Sequence, residues 1–144
     1  PMNHKWKRRI KQWGLDLVRL AILFVFISIV KDGMWLFGIP KAEDVCKVTI
    51  SCPRITDTVK TYTDAESIDL AVALTGFLKY SLLEKPEGSR EDAVEIIYEL
   101  RDGRTVTVAA DETTVWWKDR AHAVRSPGGF VYLVEVDFFS QELD

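Results

Sequence analysis

The spacing of apolar and polar residues divides the chain into an N-terminal apolar stretch and a body of short, patterned segments. The longest uninterrupted apolar run occupies residues 20–30 and has 11 residues, LAILFVFISIV. A helix of this sequence is apolar on every face and therefore needs an apolar surround on all sides. A bilayer crossing takes about 20 helical residues. The run alone is too short, but apolar character extends over the 25 residues from 15 to 39.

The body shows the two-residue periodicity of strands. Residues 45–52 alternate, which is typical of a half-buried strand. Residues 94–100 and 104–110 are β-rich runs joined across Asp102-Gly103, and this arrangement predicts a hairpin. Weaker strands are expected over residues 56–63, 113–118 and 121–125, the last two about a turn at Asp119-Arg120.

Helical signals are fewer. Thr63 and Glu66 form a capping box ahead of a long, mostly apolar segment, which predicts the main helix of the body. Residues 130–139 follow a Gly pair and fit either state, with a short helix favoured over a strand. The resulting order is ββαββββ with a final α element. We therefore predict an α+β fold: an N-terminal apolar, transmembrane helix, then a two-layer domain of antiparallel sheet packed on one main helix.

Charge is distributed unevenly between the two parts. Residues 1–40 carry seven Lys and Arg against two Asp, a net charge of +5, whereas residues 41–144 carry 12 basic and 20 acidic side chains, a net charge of −8. The positive-inside rule orients a span with its basic end in the cytoplasm. We expect a basic cytoplasmic head over residues 1–14, a transmembrane or membrane-associated helix over 15–40 and an extracytoplasmic domain over 41–144. The expected location is the cell membrane, single-pass, with lipid as a partner.

Charged residues interrupt the apolar stretch and keep alternatives open. Asp16 and Arg19 can pair on one helix face, while Lys31 and Asp32 fall inside the proposed span. An interfacial or partner-docked amphipathic helix is therefore one alternative. A cleaved signal peptide is another, although no small-residue cleavage site follows residue 30.

The two cysteines do not predict a disulfide. Cys46 and Cys52 are six residues apart on one predicted strand, about 20 Å if extended. Disulfide Cα atoms must approach within about 7 Å. We predict two free thiols, both on the core face of that strand.

Candidate catalytic chemistry is sparse. His122 is the only histidine of the body, and no His, Cys or carboxylate set has the spacing of metal ligands. No serine lies in a G-x-S-x-G setting, and no set of nucleophile, base and orienting residue is present, so we expect a non-enzymatic protein without a cofactor. The acidic body argues against nucleic-acid binding, which needs a basic face. A small hydrolase-like domain using His122 with carboxylates is the less favoured rival.

The most unusual feature of the body is a pair of adjacent tryptophans. On a strand the two indoles point to opposite faces, so one can fill the core while the other is exposed. Cationic residues follow closely, and an exposed indole beside them suits recognition of a peptide, a glycan or a protein. The candidate partner-binding residues are Trp116, Trp117, Lys118, Arg120 and His122.

Several segments resemble uncharacterised single-span proteins of Gram-positive bacteria that carry a small α+β body. The segments are Phe37-Gly38-Ile39-Pro40 after the apolar stretch, Val48-Thr49-Ile50, the hairpin of residues 95–104, and Trp116-Trp117-Lys118. The resemblance implies a membrane location and this fold, and it carries no functional residues.

These observations predict a membrane-anchored, non-enzymatic module that binds or senses a partner through the sheet surface near Trp117. A membrane or envelope protein is the expected protein partner. An accessory subunit of a membrane complex, docked through its N-terminal helix, is the main alternative.

Overall fold

The computed structural model of the chain describes residues 4–81, 84–124 and 129–142. The first helix, α1 (His4–Asp32), is continuous, and its large apolar side chains from Ile10 to Ile27 are exposed. In the described residues no helix combines the length and the apolar character that a membrane crossing demands. Lys11, Asp16 and Arg19 interrupt the extension of the apolar run toward the N-terminus. The predicted transmembrane helix, signal anchor and single-pass location are therefore wrong.

The body is an α+β fold, as predicted, built on one antiparallel sheet. Its strands in the described residues are β1 (Met34–Trp35), β2 (Val45–Ser51), β3 (Lys60–Tyr62), β4 (Lys79–Ser81), β5 (Val94–Leu100), β6 (Thr105–Ala110), β7 (Thr114–Trp117) and β8 (Arg120–Val124). These eight strands lie in the order β1-β4-β8-β7-β6-β5-β2-β3. The helices of the body are α2 (Ala65–Gly76) and α3 (Gly129–Phe138).

The strongest sequence patterns are confirmed. The hairpin of β5 and β6 turns over Asp102-Gly103, where Gly103 has a φ of 91° that favours glycine. The final segment is a helix, α3. The main helix begins one residue later than the capping box predicts, because the carboxylate of Asp64 accepts the Ser67 N–H at 3.0 Å. This hydrogen bond lowers the pKa of Asp64.

Two short strands are not predicted from the sequence pattern. β1 and β4 have two and three residues, too few to show an alternation, and they pair with each other at one edge of the sheet. The predicted order ββαββββ lacks both. The predicted strand over 56–63 is also shorter, since only Lys60–Tyr62 pairs with β2.

A β-bulge at the start of β2 changes the predicted position of one cysteine. Val45 pairs with Leu100 and Lys47 with Glu99, so Cys46 is the extra residue. The bulge shifts the alternation, and Val45 enters the core while Cys46 is exposed. Cys52 is buried and free, as predicted, but the expectation of a core position for Cys46 is wrong.

Both helices of the body cover the same face of the sheet. Apolar residues of α2 and α3 form one core with alternate residues of the central strands. The contributing residues are Ile68, Ala71 and Leu74 of α2, Phe130, Val131, Val134 and Phe138 of α3, and Val48, Ile50, Ile96, Tyr98, Val108, Val115 and Trp117 of the strands. Among the described residues, no helix of the body covers the opposite face of the sheet, which is called here the outer face.

A buried hydroxyl pair joins α2 to the centre of the sheet. The Tyr98 hydroxyl donates to the Ala71 carbonyl at 2.8 Å and also contacts the Thr75 hydroxyl. Thr75 bonds the same carbonyl at 3.0 Å. Tyr98 is fully buried, so its hydroxyl group has no water as an alternative partner.

Replacing Tyr98 with Phe is expected to lower the free energy of unfolding by about 1–2 kcal/mol, because Thr75 and Ala71 lose a buried partner. Tyr80→Phe is the matched control. Its hydroxyl makes a weaker, partly buried bond to the Met34 sulfur at 3.3 Å, and a change within about 0.5 kcal/mol is expected. Urea denaturation of both variants measures the difference. Equal losses of unfolding free energy in the two variants would contradict a stabilising role for the buried Tyr98 hydrogen bonds.

Candidate functional site

The two adjacent tryptophans lie on opposite faces of the sheet. Trp117 is 6% exposed and belongs to the core, and its indole N–H donates to the Phe37 carbonyl at 3.0 Å. Trp116 is half-buried on the outer face. The prediction that the two indoles point to opposite faces, one of them into the core, is confirmed, but the second indole is half-buried rather than exposed. The accessible one is Trp116, however, so the predicted binding surface near Trp117 moves to the other side of the strand.

Small residues flank Trp116 on the outer face. It pairs with Ala109 of β6 and Ala121 of β8, each of which adds only a methyl group beside the indole. Thr107 lies two residues before Ala109 on β6 and therefore faces the same side of the sheet. The indole is therefore the largest side chain of its row across these three strands.

A cleft of about 310 Å³ opens beside Trp116 at the end of the sheet where β7 turns into β8. Its lining mixes aromatic, hydroxyl and charged groups of both signs. The lining residues are Gly38, Arg90, Thr105, Val106, Thr107, Trp116, Trp117, Lys118 and Asp119. We call this feature the Trp116 cleft.

The turn between β7 and β8 brings two of these charges to the cleft. Lys118 and Asp119 have φ values of 51° and 62°, both left-handed, which is the geometry of a two-residue type I′ hairpin. Such a conformation is costly for residues other than glycine or asparagine. The predicted turn at Asp119-Arg120 is therefore one residue too late. Gly38 leaves room for the lysine: a Cβ there would lie 3.3 Å from the Lys118 Nζ.

A loop on the outer face brings Arg90 to the cleft. The Thr114 hydroxyl accepts the Glu87 and Gly88 N–H groups at 3.2 and 2.7 Å, which fastens the loop ahead of β5. Arg90 then lies 3.5 Å from Glu95 at the cleft wall. The sequence pattern does not reveal Arg90, Thr105 or Thr107 as site residues, because their proximity to Trp116 arises from pairing of distant segments.

The remaining candidates lie elsewhere. Arg120 pairs with Trp117 and His122 with Val115, so both belong to the helix-covered side of β8. The His122 ring contacts the Tyr80 ring, with centroids 4.4 Å apart. Burial, and secondarily Arg120, lowers the pKa of His122. Of the five predicted residues, Trp116, Trp117 and Lys118 share one cleft, and Arg120 and His122 do not line it.

Two further observations bear on the chemistry. In the described part of the chain no group of three His, Cys, Asp or Glu side chains is placed to hold a metal ion. A larger cavity of about 550 Å³ lies where α1 joins the body, lined by Ser28, Gly33, Met34, Trp35, Leu36, Phe37 and Lys79. The Lys79 Nζ lies 4.1 Å from the centre of the Trp35 ring. This cavity is mostly apolar and brings together fewer polar groups than the Trp116 cleft.

The different positions of the two indoles predict different effects on stability. Trp117→Ala is expected to lower the free energy of unfolding by about 3–5 kcal/mol, because it leaves a core cavity and an unpaired Phe37 carbonyl. Trp116→Ala is expected to cost about 1 kcal/mol or less, as an outer-face substitution. Thermal and urea unfolding check both. A cost for Trp116→Ala as large as that for Trp117→Ala would refute the assignment of faces.

His122 is expected to make folding pH-dependent. Its folded pKa is lowered, so on acidification the unfolded state takes up the proton first and stability falls below about pH 6.5. Above that pH the residue is neutral in both states and has no effect. Urea unfolding at pH 7.5 and 5.5 should show a larger loss for the unmodified protein than for His122→Gln. An equal loss in both proteins would argue against this origin.

Comparison with known proteins leaves the family open. No protein-family model and no curated protein matches the chain. A solved structure described as "NMR structure of the protein from Ruminococcus gnavus" is 21% identical, with a TM-score of 0.37, covering 61% of this chain and 84% of that one. Similarity at this level carries no argument about fold or function. The resemblance to small proteins of Gram-positive bacteria stays a prediction.

Proposed function

We propose that this protein is a non-enzymatic binding module that recognises a segment of a partner protein through the Trp116 cleft. The observation that most supports this proposal is the half-buried Trp116 indole, which is flanked by two alanines and has hydroxyl and charged groups at one side. Tryptophan and arginine are the residue types that most often dominate binding energy at protein interfaces. Trp116 and Arg90 line the same cleft.

The size and lining of the cleft favour a protein segment over an enclosed small molecule. Small-molecule pockets have about 300–1,000 Å³ and are predominantly apolar. The Trp116 cleft, at about 310 Å³, lies at the lower limit and has a largely polar lining. A space of this size accepts one or two side chains of a partner while the surrounding surface excludes water.

The charges at the cleft specify the chemistry of that segment. Arg90 already lies beside Glu95, whereas Lys118 and Asp119 make no ion pair among the described residues. The lining carries two cationic side chains, Arg90 and Lys118, against the one carboxylate of Asp119, so an acidic partner group is favoured. A carboxylate of the partner would pair with Lys118 while an apolar or aromatic side chain stacks on Trp116. The expected ligand is therefore an apolar side chain followed closely by an acidic one.

Selection from a phage-displayed library of random peptides tests this specificity. Peptides that bind the full chain are expected to share an apolar residue beside an acidic one. Trp116→Ala should abolish their binding, and Lys118→Glu should weaken it about tenfold or more by reversing one charge contact. His122→Ala, on the opposite side of the sheet, is the matched control and should bind like the unmodified chain.

Two results would contradict the proposal. One is a set of selected peptides without a shared apolar and acidic pair. The other is binding that survives Trp116→Ala but is lost in His122→Ala, which would place the binding surface on the helix-covered side. As a control, the circular dichroism spectrum of each variant should match that of the unmodified chain.

A further inference from the structure

A straight line of large apolar side chains runs along α1 and has no partner in the described chain. The residues recur at alternating intervals of three and four, and each is 52–72% exposed. They are Ile10, Trp13, Leu17, Leu20, Phe24 and Ile27, and we call them the α1 stripe. No other helix or strand of the described chain packs extensively against α1.

The spacing of the stripe is that of the core positions of a coiled coil. A 3-4-3-4 repeat keeps one seam of a helix facing its neighbour over several turns. At 100° per residue the six stripe residues fall within an arc of about 100°. Within residues 10–27, Lys11, Asp16 and Arg19 lie outside that arc. A second exposed apolar row on the opposite side of α1, formed by Leu15, Val18, Ile22 and Val25, is shorter, because Lys11 interrupts it toward the N-terminus.

An uncovered seam of this length needs a partner. From Ile10 to Ile27 the stripe extends about 26 Å at 1.5 Å per residue. Helices draw most of their stability in proteins from packing of an apolar face, and contiguous apolar patches of more than a few hundred Å² mark interaction sites. We infer that a second copy of this chain covers the α1 stripe in an antiparallel helix pair.

Charge decides the orientation. In a parallel pair the two basic heads, each with five Lys or Arg between residues 5 and 11, would lie side by side. In an antiparallel pair the centres of the two heads are separated by about 30 Å along the helix axis, most of the length of α1, which has 29 residues. Each head then approaches the body of the other copy, residues 41–144, whose net charge is −8. Opposite charges therefore favour the antiparallel arrangement.

The stripe is self-complementary in this orientation. Leu17 meets Leu20 of the second copy, Trp13 meets Phe24, and Ile10 meets Ile27. Each of these contacts occurs twice about a two-fold axis, as a closed symmetric dimer requires. The large Trp13 and Phe24 side chains then fill the layers on either side of the central leucines.

Sedimentation of the full chain with two matched variants tests the dimer. The unmodified chain should have twice the mass of one chain. Leu20→Glu places a charge in the seam and should raise the dimer dissociation constant about 100-fold or more. Ile22→Glu is the control: it is 65% exposed against 61% for Leu20, but it lies on the opposite side of α1. It should leave the dimer intact.

Cysteine cross-linking tests the orientation. In a Cys46→Ser background, a mixture of Trp13→Cys and Phe24→Cys chains should form a disulfide between the two types of chain, and neither variant alone should cross-link. Self-linking of Trp13→Cys alone would show a parallel pair and overturn the antiparallel assignment. A monomeric unmodified chain, equal dissociation by Leu20→Glu and Ile22→Glu, or association only with added phosphatidylcholine vesicles would each overturn the dimer.

Discussion

The packing of Trp117 holds together the linker, the sheet and the candidate site. Its indole lies in the core and donates to the Phe37 carbonyl, which fastens the segment between α1 and β2 to the end of β7. Successive strand residues point to opposite faces, so burial of Trp117 places Trp116 on the outer face. The Trp116 cleft depends on this division, because the core accommodates only one of two adjacent indoles.

Because the two indoles point to opposite sides, the two faces of the sheet also differ in composition. The helix-covered face buries Val48, Ile96 and Val108, and the buried hydroxyl pair of Tyr98 and Thr75 is satisfied by a helix carbonyl. The outer face carries Thr107, Trp116 and the Arg90 loop. Polar groups around one accessible aromatic ring suit a reversible interface better than a core. The basic α1 and the acidic body add a second potential interface with a different physical basis.

Local patterns predicted the elements that depend on local interactions. The β5–β6 hairpin follows from β-branched runs on either side of Asp102-Gly103, and α2 follows from cap residues ahead of an apolar segment. The membrane span was predicted wrongly, since the apolar character of residues 20–30 outweighed the charges that precede it. β1 and β4 were missed because strands of two or three residues carry no readable periodicity.

The candidate site could be predicted only in part. Adjacent tryptophans on a strand must diverge, so one accessible indole followed from the sequence alone. Which indole enters the core, the exposure of Cys46 at a bulge, and the approach of Arg90 to Trp116 depend on pairing between segments far apart in the chain. The sequence by itself determined the local elements, the opposed faces of the tryptophan pair and the separation of charge. The tertiary structure decided the register, and register sets which side chains share a surface, because a shift of one residue exchanges the two faces of a strand.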